Sequence, residues 1–341
     1  MATSAIGPGF LTQTAVFTEQ LMASFAFVII ISIILDVGAQ MNIWRNIAVA
    51  KKRGQHIAND VFPGVGYVVA FFIVLGGLAF NIGNVGGGGL GANALIGVDP
   101  VVGSILTGII CIVIFLLKEA NTAMDQIVRY LGIVMIVFTS YVMIISDPPY
   151  GEAALRSVTP LEVDFLTIIT IVGGTVGGYI TFSGGHRLLE AGVTGKANLS
   201  YVTKTSISGI LVASVMRTIL FLAIFGVVAG GAALNPDNPT ASAFQIAAGD
   251  IGYRIFGLVL WCAGITSVIG AAFTSVSFLT TFHKSIEKNK NYWIIGFIIF
   301  STGVFALVGE PVHLLLLAGA VNGLILPLTL APILFAAHRG Y

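Results

Sequence analysis

Charged side chains are scarce in this sequence. Lys, Arg, Asp and Glu together make up 9% of its 341 residues, whereas hydrophobic residues make up 56%. A soluble globular chain carries about 25% charged residues, so this chain cannot cover a surface that faces water, and its solvent must be lipid. The net charge of +1 also argues against the basic footprint of a nucleic-acid-binding protein.

Cysteine is almost absent as well. Cys111 and Cys262 lie within apolar runs and are typical of small buried hydrophobic residues, which argues against a disulfide framework or a metal site. Residues 1–5 lack the basic flank of a signal peptide, so none is expected. The pattern indicates no cofactor.

Long apolar stretches dominate the chain, and strand-like alternation is absent, so the sequence predicts an all-α integral membrane protein rather than a barrel. Ten stretches are long enough to span a bilayer. They are 2–20, 22–50, 62–85, 100–117, 125–146, 164–190, 206–233, 253–282, 292–309 and 311–336.

Basic residues are concentrated after the even-numbered spans. By the positive-inside rule these spans end in the cytoplasm, so we expect a cytoplasmic N-terminus in the plasma (inner) membrane. The residues that carry this prediction are Arg45, Lys51, Lys52, Arg53, Lys118, Lys196, Lys204, Lys284, Lys288, Lys290 and Arg339.

Two spans contain glycine-rich stretches that disfavour a continuous helix. The first has Gly7-Pro8-Gly9, and the sixth has "GGTVGGYITFSGGH" at 173–186. Shifting the chain by 170 residues places the first stretch on Gly177-Gly178-Tyr179. Because five spans is an odd number, the two halves are expected in opposite orientations. Broken helices at matching places of inverted halves predict a secondary transporter, although glycines also allow helices to pack closely.

The order of the spans, the "GPGF" break and the "GGTVGGYITFSGGH" break resemble the NRAMP family of proton-coupled divalent-metal transporters. The resemblance implies a LeuT-type inverted repeat of five plus five transmembrane helices, with helices one and six broken. The repeats would cover 1–146 and 164–336, with the half-helix before the first break truncated.

The sequence departs from that family at its metal-facing residues. Where the family has DPGN this chain has Gly7-Pro8-Gly9-Phe10, and MPH aligns with Gly177-Gly178-Tyr179. The third span, "LAFNIGNVGG" at 78–87, has none of the family's carboxylates. Since a divalent ion needs anionic oxygen or soft donors, a transition-metal substrate is disfavoured and no metal ligands are assigned.

The expected cargo is a small polar organic solute or anion, coupled to protons or sodium, because half-helix N-termini favour carboxylates. Divalent-metal symport, as in the family, stays the alternative. An intramembrane enzyme is disfavoured because HExxH and GxSxG motifs are missing. We expect a monomer whose partners are the lipid bilayer and its solute. The predicted substrate residues are Gly7, Pro8, Gly9, Phe10, Thr12, Gln13, Gly177, Gly178, Tyr179, Thr181 and Ser183.

A second set of residues is predicted to couple ions. Tyr179, Ser183, His186 and Glu190 share one helix face, so His186, helped by Glu190, could relay protons. The alternative is that this helix end reaches water by snorkelling.

Arg217 lies inside an apolar span, where a charge costs about 2.5–3.5 kcal/mol on insertion scales. It should face the bundle interior and pair with Asp36 or Glu19, either for structure or to contact substrate. Asn81 and Asn84 either line the permeation path or bond neighbouring helices. The third span is expected to unwind at 86–89.

Overall fold

The computed structural model describes residues 6–339, except for the side chains of 118–125 and 127–129. Residues 2–5 of the first predicted span therefore lie outside the described residues. The described part consists of helices joined by short connections. We number the α-helices α1 Pro8–Leu21, α2 Phe25–Ala50, α3 Gly54–Val61, α4 Val65–Ile96, α5 Pro100–Leu116, α6 Lys118–Ile145, α7 Tyr150–Arg156, α8 Phe165–Val176, α9 Gly178–Glu190, α10 Leu199–Ala229, α11 Pro239–Leu279, α12 Lys284–Lys288, α13 Lys290–Val308 and α14 Pro311–His338.

Seven helical stretches of the described part are long and apolar enough to cross a membrane. The number is eight when 130–145 and α7, bent by 108°, are counted as one span. The 17-residue helix α5 is also apolar but shorter than these. Each of the ten predicted spans corresponds to one helix or to a helix pair.

By length and hydropathy, the stretch Pro8–Ala50 could be a single membrane span. Its contacts show instead that α1 and α2 are two helices that run in opposite directions. Phe10 on α1 and Asp36 on α2 both lie beside Arg217. A straight helix would separate two residues 26 positions apart by about 39 Å. The reversal occurs after Leu21, where Met22 has φ 49° and ψ −133°.

Helix α4 forms the centre of the bundle and packs against α11, α14 and α5. Its interface with α11 is glycine-rich: a Cβ on Gly91 would collide with the Trp261 backbone, and one on Gly264 would collide with Gly88. Backbones therefore approach closely without side chains between them, as in many membrane bundles.

The predicted unwinding at 86–89 is wrong. Helix α4 runs to Ile96, and all four glycines are helical and buried. Gly88 faces Thr107 and Gly89 faces the Pro100 carbonyl, so tertiary packing outweighs the low helix propensity of glycine.

Other predicted bounds also shift. The seventh span, predicted at 206–233, is α10, and the eighth, predicted at 253–282, is α11, which starts at Pro239. Helix α11 is interrupted at Gly249, where φ is 67°. Pro239 at the helix start and Asn238 as N-cap explain the earlier beginning.

Candidate substrate site

The sixth span is broken between α8 and α9. Gly177 is extended, with φ −55° and ψ 143°, and Gly178 has φ +27°. A positive φ favours glycine because it lacks a Cβ. There is also little room here, since a Cβ on Gly177 would lie 2.7 Å from the Cβ of Asn322, and one on Gly178 would lie 2.8 Å from its Oδ1. A side chain at either position would therefore clash with Asn322, and at Gly178 it would also strain the backbone.

The first break is built around Pro8. Gly7 is extended (φ −97°, ψ 179°) and precedes α1, whose first residue is Pro8. Proline suits this position because its missing N–H would have no helical partner. Pro8 packs against Gly87 of α4, and Gly7 faces Ser267 and Asn84.

The two breaks share neighbours on α4. The Asn84 side chain lies beside Gly7, and Gly77 of the same helix faces Tyr179. The Phe80 ring lies beside Gly9, and its centroid is 5.3 Å from that of Tyr179. Both breaks therefore face the same segment of the central helix.

Two side-chain amides, one on α1 and one on α14, also lie in this region. Gln13 Nε2 donates to the Leu315 carbonyl at 2.9 Å, and its Oε1 faces Gly174 just before the second break. Asn322 Nδ2 donates to the Gly76 carbonyl at 2.9 Å. The amides thus tie α14 to α1 and to α4, next to both breaks.

Several polar atoms around the breaks have no hydrogen-bond partner within the described part of the chain. All belong to fully or nearly fully buried side chains. An unpaired buried polar group costs roughly 1–3 kcal/mol, so a bound solute that offers both donors and acceptors would be stabilised here. The atoms are Gln13 Oε1, Asn84 Nδ2, Ser275 Oγ and Asn322 Oδ1. We call Gln13, Asn84, Tyr179, Ser275 and Asn322 the neutral set.

None of the five side chains of the neutral set is acidic. Across residues 6–339, apart from the undescribed side chains of α6, no group of three or more His, Cys, Asp or Glu is placed to hold a metal ion. The residues at the breaks can offer hydrogen bonds but not the anionic ligands that divalent ions prefer.

The remaining predicted substrate residues lie further along the helices. Phe10 lies under Arg217, and Thr12 is buried on α1. The Thr181 carbonyl accepts from Trp44 Nε1 at 2.8 Å, and the Ser183 hydroxyl pairs with that of Thr274 at 3.0 Å. Thr181 and Ser183 attach α9 to α2 and α11, and their contact with substrate stays a prediction.

His186 lies at the α3 side of α9. Its Nε2 accepts the Gly54 N–H at 3.2 Å, and its ring stacks on Phe278 at 4.9 Å. An accepting Nε2 carries no proton, so this arrangement holds a neutral imidazole. Glu190 pairs with Arg53 at 3.4 Å near the surface. The proton relay stays a prediction, with Arg53 as a further neighbour of Glu190.

Two predicted coupling residues take part in contacts between segments. Glu19 accepts the Leu234 N–H at 2.9 Å, so of the two candidate partners only Asp36 is brought to Arg217. Asn81 Nδ2 donates to the Ser301 hydroxyl on α13 at 3.0 Å. This contact agrees with the alternative in which Asn81 bonds a neighbouring helix.

Sequence reasoning missed Asn322, Ser275 and Ser267. A signal existed for Asn322, because it is the lone amide of an apolar span and stands between Gly319 and Gly323. The serines carry no such signal, since serine is common at transmembrane helix interfaces.

A cavity of about 630 Å³ opens near the end of α4 that is remote from Arg53. It reaches Leu316, the neighbour of the Leu315 carbonyl to which Gln13 donates. Its lining includes three acidic residues, Asp99, Asp237 and Glu310. The cavity therefore lies at the end of α4 opposite the basic loop at 51–53, and none of its lining residues belongs to the neutral set.

Comparison with known families matches residues 1–340 to the model described as "Natural resistance-associated macrophage protein-like". The chain is 57% identical over 339 residues to an "Uncharacterized membrane protein" of Haemophilus influenzae, covering 99% of this chain and 85% of the relative. It is also 57% identical over 339 residues to "Uncharacterized membrane protein YcsG" of Bacillus subtilis, covering 99% and 84%.

The fold is similar to solved structures of a manganese transporter from Eremococcus coleocola. One mutant aligns with a TM-score of 0.69 at 15% identity, covering 98% of this chain and 76% of that one. A complex with an aromatic bis-isothiourea compound aligns with a TM-score of 0.70 at 14% identity and the same coverage. The expected LeuT-type fold, with its first and sixth helices broken, is confirmed.

Proposed function

We propose, from the premise that this chain belongs to the Nramp family, that it is a secondary transporter for a small polar organic solute or anion. The family consists of transporters rather than enzymes, and the chain is a multi-pass membrane protein. The cargo would be held at mid-membrane between α1 and α9, with coupling to protons or sodium.

The observation that carries this proposal is the neutral set. Its unpaired atoms include two amide oxygens, one amide nitrogen and one hydroxyl. Such a mixture fits a solute that both donates and accepts hydrogen bonds, for example an amide, or a carboxylate that also carries a hydroxyl or N–H group. A bare cation would satisfy the oxygens and leave the Asn84 nitrogen unpaired.

The helix starts at both breaks support the same cargo. Helix α1 begins at Pro8 and α9 begins at Gly178, and the first N–H groups of a helix have no partner within it. Together with the helix dipole they favour a carboxylate over a cation.

The proposal also includes the movement of the two repeats and the orientation of the protein in the membrane. The repeats at 1–146 and 164–336 would move relative to one another around the breaks. We place the N-terminus in the cytoplasm of an inner-membrane protein, since the basic loops follow the even-numbered spans. The protein is proposed to work as a monomer.

Divalent-cation symport is the second candidate. The acidic lining of the outer cavity, Asp99, Asp237 and Glu310, would attract cations, and the structural neighbours are manganese transporters. The neutral set argues against it, because none of its five side chains is a carboxylate that could replace part of the hydration shell of such an ion.

Thermal stabilisation of purified protein decides between these cargoes. The protein is melted with a library of small organic acids, with their amides and with manganese chloride. We expect an organic member to raise the melting temperature, and Asn322→Ala to abolish that rise. Asn289→Ala, at an exposed amide, is the matched control and should preserve it. Stabilisation by manganese alone would contradict the proposal.

A further inference from the structure

A buried charged pair lies beside the breaks, outside the neutral set. Arg217 on α10 is 2% exposed and Asp36 on α2 is 1% exposed. Arg217 Nη1 donates to the Thr175 hydroxyl at 2.8 Å, and its guanidinium carbon lies 4.0 Å from the centroid of Phe10. Phe10 follows the first break and Thr175 precedes the second, so Arg217 contacts both broken helices.

Arg217 and Asp36 do not form a direct ion pair within 4.0 Å. Arg217 Nε and Nη2 and Asp36 Oδ1 have no hydrogen-bond partner in the part of the chain that the structure describes. The ion pairs within 4.0 Å found there are those of Lys52 and Arg53 with other residues. A buried pair stabilises a fold only when its geometry is tight, so this open arrangement needs a different explanation.

The two unpaired nitrogens of Arg217 lie on the same side of the guanidinium group. Nε and Nη2 form one edge of the guanidinium, and that edge binds a carboxylate through two parallel hydrogen bonds. A cation without such a partner in a lipid-embedded interior is costly. The edge is therefore suited to an organic anion held at the adjacent breaks.

We propose that Arg217 binds the carboxylate of the transported solute and that Asp36 takes up the proton that travels with it. This inference rests on the proposed function and narrows its substrate class to carboxylates. In the empty site the Asp36 carboxylate balances Arg217. In the loaded site the proton, drawn from the outer solution, neutralises Asp36, and the solute carboxylate balances Arg217.

The charge of the site is then the same in both states. One anion and one proton enter together and leave together, and no covalent bond other than the carboxyl O–H is made or broken. A low-dielectric interior disfavours any change in net charge, so joint transfer is the step that such a site permits. Transport would be electroneutral.

The other elements packed against α2 add titratable groups only at a distance. From α8 the neighbour is the neutral Thr175, and from α10 the charged group that acts on Asp36 is Arg217. His186 and Glu190 on α9 contact Gly54 and Arg53, beyond the far end of α2. The remaining charged or histidine side chains of these elements are Glu19 on α1, Glu152 and Arg156 on α7, which reaches the Ser24 end, His56 and Asp60 on α3, Arg187 on α9, Lys196 in the turn before α10, Lys204 near the start of α10, and His313 and His338 near the ends of α14.

The test measures affinity against pH for purified protein with pairs of probes, each a small carboxylic acid and its primary amide. Lactate with lactamide and N-acetylglycine with its amide are two such pairs. Uptake of one proton with each anion makes affinity fall about tenfold per pH unit while Asp36 is ionised in the empty site. We expect that slope for a carboxylate and none for its amide.

Variants separate the two roles. Asp36→Asn should bind the carboxylate with no pH slope, because it mimics the protonated acid. Arg217→Gln should lose the preference for acid over amide, and Arg217→Lys should weaken it at least tenfold because the fork is lost. Lys204→Gln, an exposed charge on the same helix, and Asp60→Asn at the surface are the matched controls.

The outcomes distinguish this inference from the proposed function. Equal binding of acid and amide, or a flat pH profile in the unmodified protein, overturns the inference and leaves an organic solute as cargo. Binding of manganese alone, or no binding by any acid or amide, overturns both. The pH slope of the unmodified protein decides the matter even where a variant does not fold.

Discussion

Two glycine-rich regions of this molecule behave in opposite ways. The run Gly86 to Gly89 lies inside an unbroken helix, whereas Gly177 and Gly178 interrupt one. In α4 the glycines face Phe305, Pro8, Thr107 and the Pro100 carbonyl, and they keep helical geometry. At the break the extended Gly177 and the positive φ of Gly178 lie against Asn322. Glycine therefore marks close approach in both regions, and only in the second region does the backbone depart from helical geometry.

The largest effect that tests this comparison is expected at Gly91. A Cβ there would meet the backbone of Trp261, and backbone atoms of a packed helix cannot move aside. Gly91→Ala should destabilise the fold by at least the 1–3 kcal/mol typical of overpacking. Thermal melting measures it. Gly270→Ala, on α11 with open space around it, is the control, and equal melting of the two variants would contradict close packing of α4 on α11.

A smaller effect on stability but a large one on transport is expected at Gly178. Gly178→Ala would strain a backbone with φ +27° and crowd Asn322; strain of this kind is worth roughly 1–3 kcal/mol. We expect uptake by proteoliposomes to fall more than tenfold.

Gly192→Ala is the matched control for Gly178→Ala. Gly192 has φ +73° with nothing within 4 Å, so it carries strain without the contact to Asn322. Equal loss of uptake in both variants would mean that strain, and not the site, is responsible.

The cap of α8 offers a prediction about pH. Asp164 accepts the N–H groups of Leu166 and Thr167, and hydrogen bonding, first from the Thr167 hydroxyl, holds the pKa of Asp164 below its ordinary value. The carboxylate therefore stabilises α8 fully above the unfolded pKa near 4, and this contribution is lost as the pH falls through the lower folded value.

Asp164→Ala should cost about 1 kcal/mol at neutral pH, the usual value of an N-cap. Melting curves at pH 7 and at acidic pH should show the difference between variant and parent shrinking. Glu162→Ala, at an exposed neighbour, should have no such profile. A difference that stays constant with pH would contradict a charged cap.

The smallest effect is expected where glycine has open space in a helix. Gly270→Ala should stabilise the protein by roughly 0.5–1 kcal/mol, because alanine loses less backbone freedom on folding. A drop in melting temperature would show that this position is packed after all.

Much of the fold could be predicted from sequence because its signals are local. Apolar length gives the spans, and the matching Gly7 and Gly177 stretches give the breaks. Gln13 and Tyr179 could be predicted as site residues because they stand in or near those stretches, and Asn84 because it is a polar residue within the apolar third span.

The rest depends on contacts between distant parts of the chain. Asn322 and Ser275 reach the breaks from α14 and α11, and no local pattern records which helices meet. The choice of Asp36 over Glu19 beside Arg217 follows from the chain reversal after Leu21. The continuity of α4 through its glycines likewise depends on the neighbours that pack against it.

The central claim is that the side chains of the neutral set, beside both helix breaks, bind one substrate molecule. A cryo-electron microscopy structure with the organic solute that most stabilises the protein tests it most directly. We predict ligand density between α1 and α9 within hydrogen-bond distance of Gln13, Asn84 and Asn322. Density confined to the cavity lined by Asp99, Asp237 and Glu310, or a continuous helix through Gly177 and Gly178, would contradict the account.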